Sequence, residues 1–371
     1  MNDKERLILS IKESLDKNLD ELIFLSCRAT GNSLSDTQID IERSLRFLGA
    51  YNEKDIPQNL KAKGTILIIL SYNEPLLLSV VPVICALLVG NKVIVRPSSK
   101  NIELFNKIWS NIPKEFSNKI QIENFDISNL ENYVKLVKAV FFFGSFNNAK
   151  RVYELCSKYF VEFIPEIEAG DCKVLNVDSI SNKNIQEDIK STFKNSYDHS
   201  GIICQRFSGV FINRSIYKIY LDNLNSALSD KKYEIISKDN NNLLEKEILE
   251  SLPSYVWNKD DEYVVINPKA NSEFVKNAYF LKLLWVIPFD NYINLIDMLN
   301  SRNFFLGLNI KSNDTNFINE LIKDTNYSRY TLNNNHTDIK DDTGWGGNWP
   351  SGVGGYKTWY ETFSNKFIIL K

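Results

Sequence analysis

The sequence is poor in the residues that staple a fold covalently or through metal. It has five cysteines (Cys27, Cys85, Cys156, Cys172 and Cys204), odd in number and widely spaced, and two histidines, His199 and His336. No CxxC pair occurs, so neither a disulfide framework nor a Cys/His metal site is expected. A surplus of positive charge is also missing: 44 Lys+Arg stand against 46 Asp+Glu, a net charge of −2. No nucleic-acid partner is expected, because no basic excess offers itself to a phosphate backbone. Long apolar runs are absent as well. The longest uncharged stretch, Pro75–Asn91, is interrupted by Pro82 and is short for a membrane span, so it reads as a buried helix. Met1–Arg6 is charged and no leader-like segment follows it, so the expectation is a soluble, reduced, cytoplasmic protein with no membrane span.

What is present is globular. Apolar residues make up 43% of the 371 and charged residues 24%, a mixture that excludes a disordered chain and leaves room for two or three cores. Leu7, Ile8, Ile11, Leu15, Leu19, Leu22 and Ile23 recur at helical spacing, and Ser33 opens a second helical pattern. Tyr51–Lys63 is polar and reads as a connector. The texture then changes. Thr65–Leu70 is a β-branched and leucine run of the kind buried on both sheet faces. A helix over Leu76–Val89, a strand at Lys92–Val95, a helix over Ile102–Ile112 and a strand at Ile120–Glu123 follow. A helix at Leu130–Val137, a strand at Ala139–Phe143, a helix at Ala149–Tyr159 and a strand at Phe163–Glu168 complete the series.

This alternation predicts an α/β fold with a Rossmann-like parallel sheet covered on both faces. Ligands of such sheets bind beyond the carboxyl ends of the strands, so Ser71–Pro75, Arg96–Lys100, Gly144–Asn148 and the segment after Glu168 are the loops of interest. The second half gives strands at Val210–Ile212, Tyr263–Ile266, Leu283–Ile287 and Leu306–Ile310, and helices at Ser215–Leu228 and Tyr292–Asn300. A glycine-dense segment, Gly344–Tyr356, must adopt unusual backbone angles or approach something closely. Phe367–Leu370 reads as a closing strand.

Taken singly, the chemical signals have ordinary readings. Gly144 and Ser145 open a helix after a buried strand and would present N–H groups to a phosphate, but Phe146 and Ala149 break the G-x-G-x-x-G fingerprint. Arg96 at a strand end is either a phosphate or ribose ligand or a solvated charge. Cys204 in apolar company reads as a small core residue. Glu168 reads as a solvated strand end, and Asn73 as a turn residue.

Their order is more specific than any one of them. Tyr72-Asn73-x-Pro75, Gly90-Asn91-x-Val93-x-x-Arg96-Pro97-Ser98, Phe143-Gly144-Ser145, Glu168-Ala169-Gly170, Ser200-Gly201-x-x-Cys204 and Gly346-Gly347-x-x-x-Ser351-Gly352-x-Gly354 follow one another along the chain. Val286–Asp290 and Phe305–Leu308 add to the pattern. The sequence resembles the aldehyde dehydrogenase superfamily, as a short and divergent member, from about Leu19 to Leu370.

The resemblance implies a cofactor domain in residues 1–170, a second α/β catalytic domain in 171–345 and a C-terminal segment, 346–371, that returns to the first. It implies that Cys204 is the nucleophile, that Asn73 is the oxyanion donor and that Glu168 is the base that activates water. The cofactor, NADP or NAD, would lie along Ile69, Leu70, Ser71 and Tyr72, with Arg96, Ser98, Ser99, Gly144, Ser145, Gly170 and Phe280. Arg96 stands where the family usually has lysine and Ser99 where many NAD-using members have glutamate, which leaves both cofactors open.

Other departures concern the pocket. Ala278 falls where a ribose-binding glutamate is common, and Ile202 where glutamine is. His199 is open between an extra acid/base and a loop residue. Glu74 replaces a frequent pocket aromatic, and Trp345 falls where the terminal motif usually places one. Both are expected to face the substrate, with Glu74 favouring a polar or cationic aldehyde.

The activity implied is NAD(P)-dependent oxidation of an aldehyde to a carboxylate through a thiohemiacetal and a thioester. Two alternatives stand beside it. One is an NADPH-dependent acyl-thioester reductase acting on an activated acyl substrate. The other is an inactive binding protein on the same fold. The region before Thr65 lacks room for the extended hairpin with which many members assemble, so a homodimer is an open expectation.

Overall fold

The computed structural model describes residues 1–52, 56–179, 184–229, 234–235, 256–259, 262–333, 346–352 and 358–366. Trp345 and the strand expected at Phe367–Leu370 lie outside these. The chain forms two compact units. Met1–Ile167, Lys340–Gly346 and Gly352–Lys371 make the first, and Glu168–Ile339 with Gly347–Ser351 makes the second.

The first unit opens with α1 (Asp3–Lys17), α2 (Leu19–Thr30) and α3 (Leu34–Gly49). Leu7, Ile8, Ile11 and Leu15 are buried along one face of α1. The single helix suggested by the spacing is interrupted. Asn18 caps α1, its N–H reaching the Ser14 carbonyl, and Leu19 restarts the chain as a partly exposed first residue of α2. Ser33 caps α3 reciprocally with Asp36, the arrangement that satisfies two orphan N–H groups of a helix start.

The connector carries a short strand, β1 (Leu60–Ala62). Then come β2 (Thr65–Ile69), α4 (Pro75–Leu88), β3 (Lys92–Arg96), α5 (Ile102–Ile108) and α6 (Lys114–Ser117). β4 (Ile120–Ile122), α7 (Leu130–Val134), β5 (Ala139–Gly144), α8 (Phe146–Lys158) and β6 (Glu162–Ile167) follow. The strands form a parallel five-stranded sheet in the order β4-β3-β2-β5-β6. Chain direction across the sheet reverses between β2 and β5, the switch point at which open α/β sheets receive ligands.

Every residue of α4 is buried, so the uncharged stretch is indeed an interior helix. Among the described residues no helix is long and apolar enough to cross a membrane.

The second unit is built on an eight-stranded sheet, ordered β14-β13-β7-β8-β12-β11-β10-β9. Its strands are β7 (Asp171–Leu175), β8 (Phe207–Asn213), β9 (Glu234–Ile235), β10 (Val256–Lys259), β11 (Glu262–Ile266), β12 (Lys282–Phe289), β13 (Gly307–Lys311) and β14 (Arg329–Leu332). β14 through β11 are parallel, and β10 and β9 are antiparallel. The helices α9 (Ile185–Tyr197) and α10 (Arg214–Ser229) are followed by helices at Tyr292–Asn300 and Thr315–Asp324.

Successive residues of the central strands feed opposite cores. Phe211, Trp285 and Ile287 enter one, and Val210, Ile212, Leu284 and Val286 the other. Both faces are therefore apolar, which is why these strands read as continuous runs. Gly209 gives the Trp285 ring its space, since a Cβ there would lie 2.0 Å from the indole.

β7, α9, β14 and the Thr315–Asp324 helix had no clear sequence signature. β7 shows why. Asp171, Cys172 and Lys173 are all buried, although two of them are charged. Lys173 is accommodated by Asp188 of α9 at 2.6 Å, and Lys311 of β13 reaches the same carboxylate at 2.6 Å. The last strand among the described residues, β15 (Ser364–Lys366), pairs antiparallel with β1 of the early connector.

Candidate active site

In the first unit the candidate residues gather at the carboxyl edge of the sheet. Ile69 ends β2, and Leu70, Ser71, Tyr72, Asn73 and Glu74 form the turn into α4. Arg96 ends β3 in register with Ile69, and the N–H of Leu70 donates to the Arg96 carbonyl at 3.0 Å.

The turn is tied down on several sides. The Ser71 hydroxyl donates to Asn73 Oδ1 at 2.5 Å, Asn101 Nδ2 donates to the Ser71 carbonyl at 3.4 Å, and the Lys100 ammonium sits 4.1 Å from the Tyr72 ring centre. Glu74, 5% exposed, is paired with Arg43 of α3 at 3.2 Å. This changes the expectation for Glu74. Its carboxylate is engaged by a guanidinium, so it does not offer an uncompensated negative charge to a cationic aldehyde.

Arg96 is half-buried. Its Nε donates to the Phe125 carbonyl at 3.1 Å, and its guanidinium lies over the Phe125 ring at 5.4 Å. Burial pushes its pKa down, and the nearby Asp126 carboxylate opposes that shift. Ser98 caps the next turn, its carbonyl accepting from the Asn101 N–H at 2.8 Å, and Ser99 is exposed. Gly144 ends β5, and Ser145 is the N-cap of α8, its hydroxyl accepting from the Asn148 N–H at 3.4 Å. The positive end of a long helix thus faces the same edge as β2 and β3. In the terminal glycine segment a Cβ at Gly346 would lie 2.3 Å from a Glu166 carboxylate oxygen, the close approach the sequence called for.

In the second unit the candidates lie at the opposite, amino edge of a parallel sheet. Glu168 precedes β7, Cys204 precedes β8 and Phe280 precedes β12, three adjacent strands. The register aligns them. Cys172 pairs with Gly209, and Gly209 with Trp285, so all three residues stand four or five positions upstream of one rung. Cys204 is half-buried in a loop whose backbone is unusual. His199, Ser200 and Gly201 have φ of 50°, 55° and 72°, three successive left-handed residues. Such conformations cost on the order of 1–3 kcal/mol for a non-glycine residue and concentrate at functional sites. Gly201 is required here, because a Cβ would lie 2.3 Å from the Leu281 backbone ahead of β12.

The two loops are joined underneath. Asp171 N–H donates to the Arg206 carbonyl at 2.9 Å, and Arg302 donates to the Gly170 carbonyl at 2.8 Å and to Cys172 Sγ. Arg206, fully buried, donates to the carbonyls of Phe207 and Leu283, each at 3.4 Å, and burial lowers its pKa to about 10. Burial pushes the Cys172 thiol up to about 11 despite Arg302. Gly170, expected among the cofactor contacts, is buried as a packing residue: a Cβ would lie 1.7 Å from Ser208 Oγ. Arg43, Arg206 and Arg302 are positions that sequence reasoning missed. Each is an isolated arginine in a helix or loop, with nothing local to mark it. Among the described residues no three His, Cys, Asp or Glu side chains gather as a metal site.

Comparison with known proteins agrees with the fold. Residues 1–243 match the aldehyde dehydrogenase family. The chain is 23% identical to the 2-aminomuconic semialdehyde dehydrogenase of Mus musculus over 370 residues, covering 84% of this chain and 74% of the mouse protein. It is 22% identical to the D-glyceraldehyde dehydrogenase (NADP(+)) of Picrophilus torridus, over 89% of this chain and 70% of that one. The solved structure of 3,6-anhydro-L-galactose dehydrogenase in complex with NAP superposes with a TM-score of 0.81 at 16% identity, over 98% of this chain and 86% of that one. The family match spans more than half the chain and the superposition nearly all of it, so the chain belongs to the aldehyde dehydrogenase family and is an aldehyde dehydrogenase-like oxidoreductase.

Proposed function

We propose that this protein oxidises an aldehyde to a carboxylate with NAD(P), the first unit holding the cofactor and the second carrying the nucleophile. The family uses NAD(P). The residues at the carboxyl edge of the first sheet suit it. The β2–β5 switch point, the Arg96 guanidinium and the α8 N-terminus are the donors a dinucleotide needs. Bound there, the cofactor supplies the hydride acceptor. Ser99 brings no carboxylate against a 2′-phosphate, while Asp126 lies near Arg96, so either form is accommodated.

The chain's own residues divide the remaining chemistry. The Cys204 thiolate bonds to the aldehyde carbon, and the carbonyl oxygen takes the negative charge. The Asn73 side-chain N–H and the Cys204 backbone N–H stabilise that oxygen, which collapses back to a carbonyl as hydride leaves. The product of this step is a thioester on Cys204. Glu168 then takes a proton from water, the resulting hydroxide attacks the thioester, and carboxylate departs with Cys204 as the leaving thiolate.

The observation that carries this reading is the register of the second sheet, which sets the Glu168 and Cys204 loops side by side at one edge. Glu168 also favours hydrolysis over an acyl-thioester reductase, which has no use for a water-activating base. The test is a panel of aldehydes with NAD⁺ and NADP⁺, followed by nicotinamide absorbance, beside acyl thioesters with NADPH. Reduced cofactor and free carboxylate are expected from the first arm. Turnover in the second arm alone would contradict the reading.

A further inference from the structure

The turn after β2 carries a hydroxyl that this mechanism does not use. An asparagine amide has two ends of opposite sense: Nδ2 donates and Oδ1 accepts. An oxyanion needs the donor, and the same side chain rotated by half a turn would offer it a lone pair instead. The Ser71 hydroxyl donates to Asn73 Oδ1 at 2.5 Å and so occupies the acceptor end.

The donor of that bond is itself held in place. The Ser71 carbonyl accepts from Asn101 Nδ2, and Asn101 is 3% exposed. The residue beyond Asn73 is fixed by the part-buried Arg43–Glu74 pair at 3.2 Å, and the residue before it packs beneath Lys100. Every neighbour of Asn73 in the turn is therefore tied to α3 or to the β3–α5 loop.

We infer that Ser71 is a positioning residue: its hydrogen bond to Asn73 Oδ1 fixes the amide so that Nδ2 is the end offered to the developing oxyanion. The inference rests on the reading of Asn73 as the oxyanion donor and deepens it. Ser71 does not touch the reacting atoms in this account. It acts through the amide, at the strength of one hydrogen bond between neutral groups.

The test is a double-mutant cycle on the full-length protein, read as the single-turnover rate of hydride transfer, with KM for the aldehyde, cofactor affinity and melting temperature measured alongside. Asn73→Ala should slow hydride transfer by about 10²–10³. Ser71→Ala should slow it by about three- to tenfold, measured at saturating cofactor, with KM for the aldehyde unchanged. Ser71→Thr, which keeps the hydroxyl, should restore the rate, and in the Asn73→Ala background Ser71→Ala should add nothing. Should Ser71→Ala unfold the turn, Ser71→Cys, a weaker donor of similar size, is read in its place and should fall between the two.

An unchanged rate in Ser71→Ala, or the same loss with and without Asn73, would overturn the inference while leaving Asn73 in its role. An Asn73→Ala protein as fast as the parent, with Cys204→Ala inactive, would instead overturn the reading of Asn73 and the inference with it.

Discussion

The two sheets present their candidate residues in opposite ways. In the first unit they follow the strands and stand at the carboxyl edge, where helix starts and backbone groups converge. In the second unit Glu168, Cys204 and Phe280 precede the strands and stand at the amino edge. The loops there are shaped by buried side chains: Arg302 on the Gly170 carbonyl, Arg206 on Phe207 and Leu283, and three left-handed residues ahead of Cys204. On the proposed reading, the edge that binds the cofactor is shaped mainly by topology and the edge that carries the nucleophile by buried side chains.

On the proposed reading, the largest expected effect separates reacting from gripping. Cys204→Ala should lower aldehyde turnover by on the order of 10⁴ or more with cofactor binding retained. Arg96→Ala should chiefly raise the cofactor KM, leaving kcat within about tenfold, since it removes binding common to ground and transition states. Steady-state kinetics with both cofactors checks this, and equal kcat losses would erase the distinction.

The next effect concerns what the second unit has built into its interior. Asp188 lies between Lys173 and Lys311, and Lys173 and Asp188 are both buried. Asp188→Ala leaves two ammonium groups uncompensated and should cost about 3–5 kcal/mol in urea unfolding. The pair also sets a sign for pH. Burial alone would push the Asp188 carboxyl up, but the two ammonium groups outweigh it and hold its pKa below the ordinary value. A depressed folded pKa gives stability that is complete above the unfolded value, about 3.9, and lost as pH falls through the folded one. The second unit should therefore weaken below about pH 4, and Asp188→Asn should flatten that slope.

A smaller effect is steric. Gly209→Ala brings a methyl against the Trp285 ring inside the second sheet and should cost about 1–3 kcal/mol by overpacking. The smallest runs in the alkaline direction and reads the first unit. Burial pushes the Cys156 thiol from 9.0 up to about 12. The unfolded chain releases that proton first, so stability should fall as pH rises from about 9 toward 12. Urea midpoints should show this slope in the parent and less of it in Cys156→Ala.

Sequence reading served the two units unequally, for the same physical reason. β2, β3 and β5 are apolar and β-branched or aromatic, so their period and order are visible, as is the buried α4. β7 is as buried as they are but carries Asp171 and Lys173, whose partners lie far along the chain. A charge neutralised by a distant residue looks, in sequence, like a charge in solvent. The same holds for Glu74, whose position was visible but whose pairing with Arg43 was not, and for Arg302 beneath the Glu168 loop. Asn73, Glu168 and Cys204, the residues of the proposed chemistry, were singled out through ordered motifs rather than local pattern, because each is a common residue in an unremarkable setting. The left-handed turn at His199 and Ser200 left no trace in composition.

The most direct test of the account is to catch the acyl group on its sulfur. Glu168→Gln, mixed with an aldehyde and oxidised cofactor and quenched in acid, should yield one equivalent of reduced cofactor and an acyl mass on the peptide that contains Cys204. Turnover with the acyl mass on Cys27, Cys85, Cys156 or Cys172, or on no cysteine at all, would contradict it.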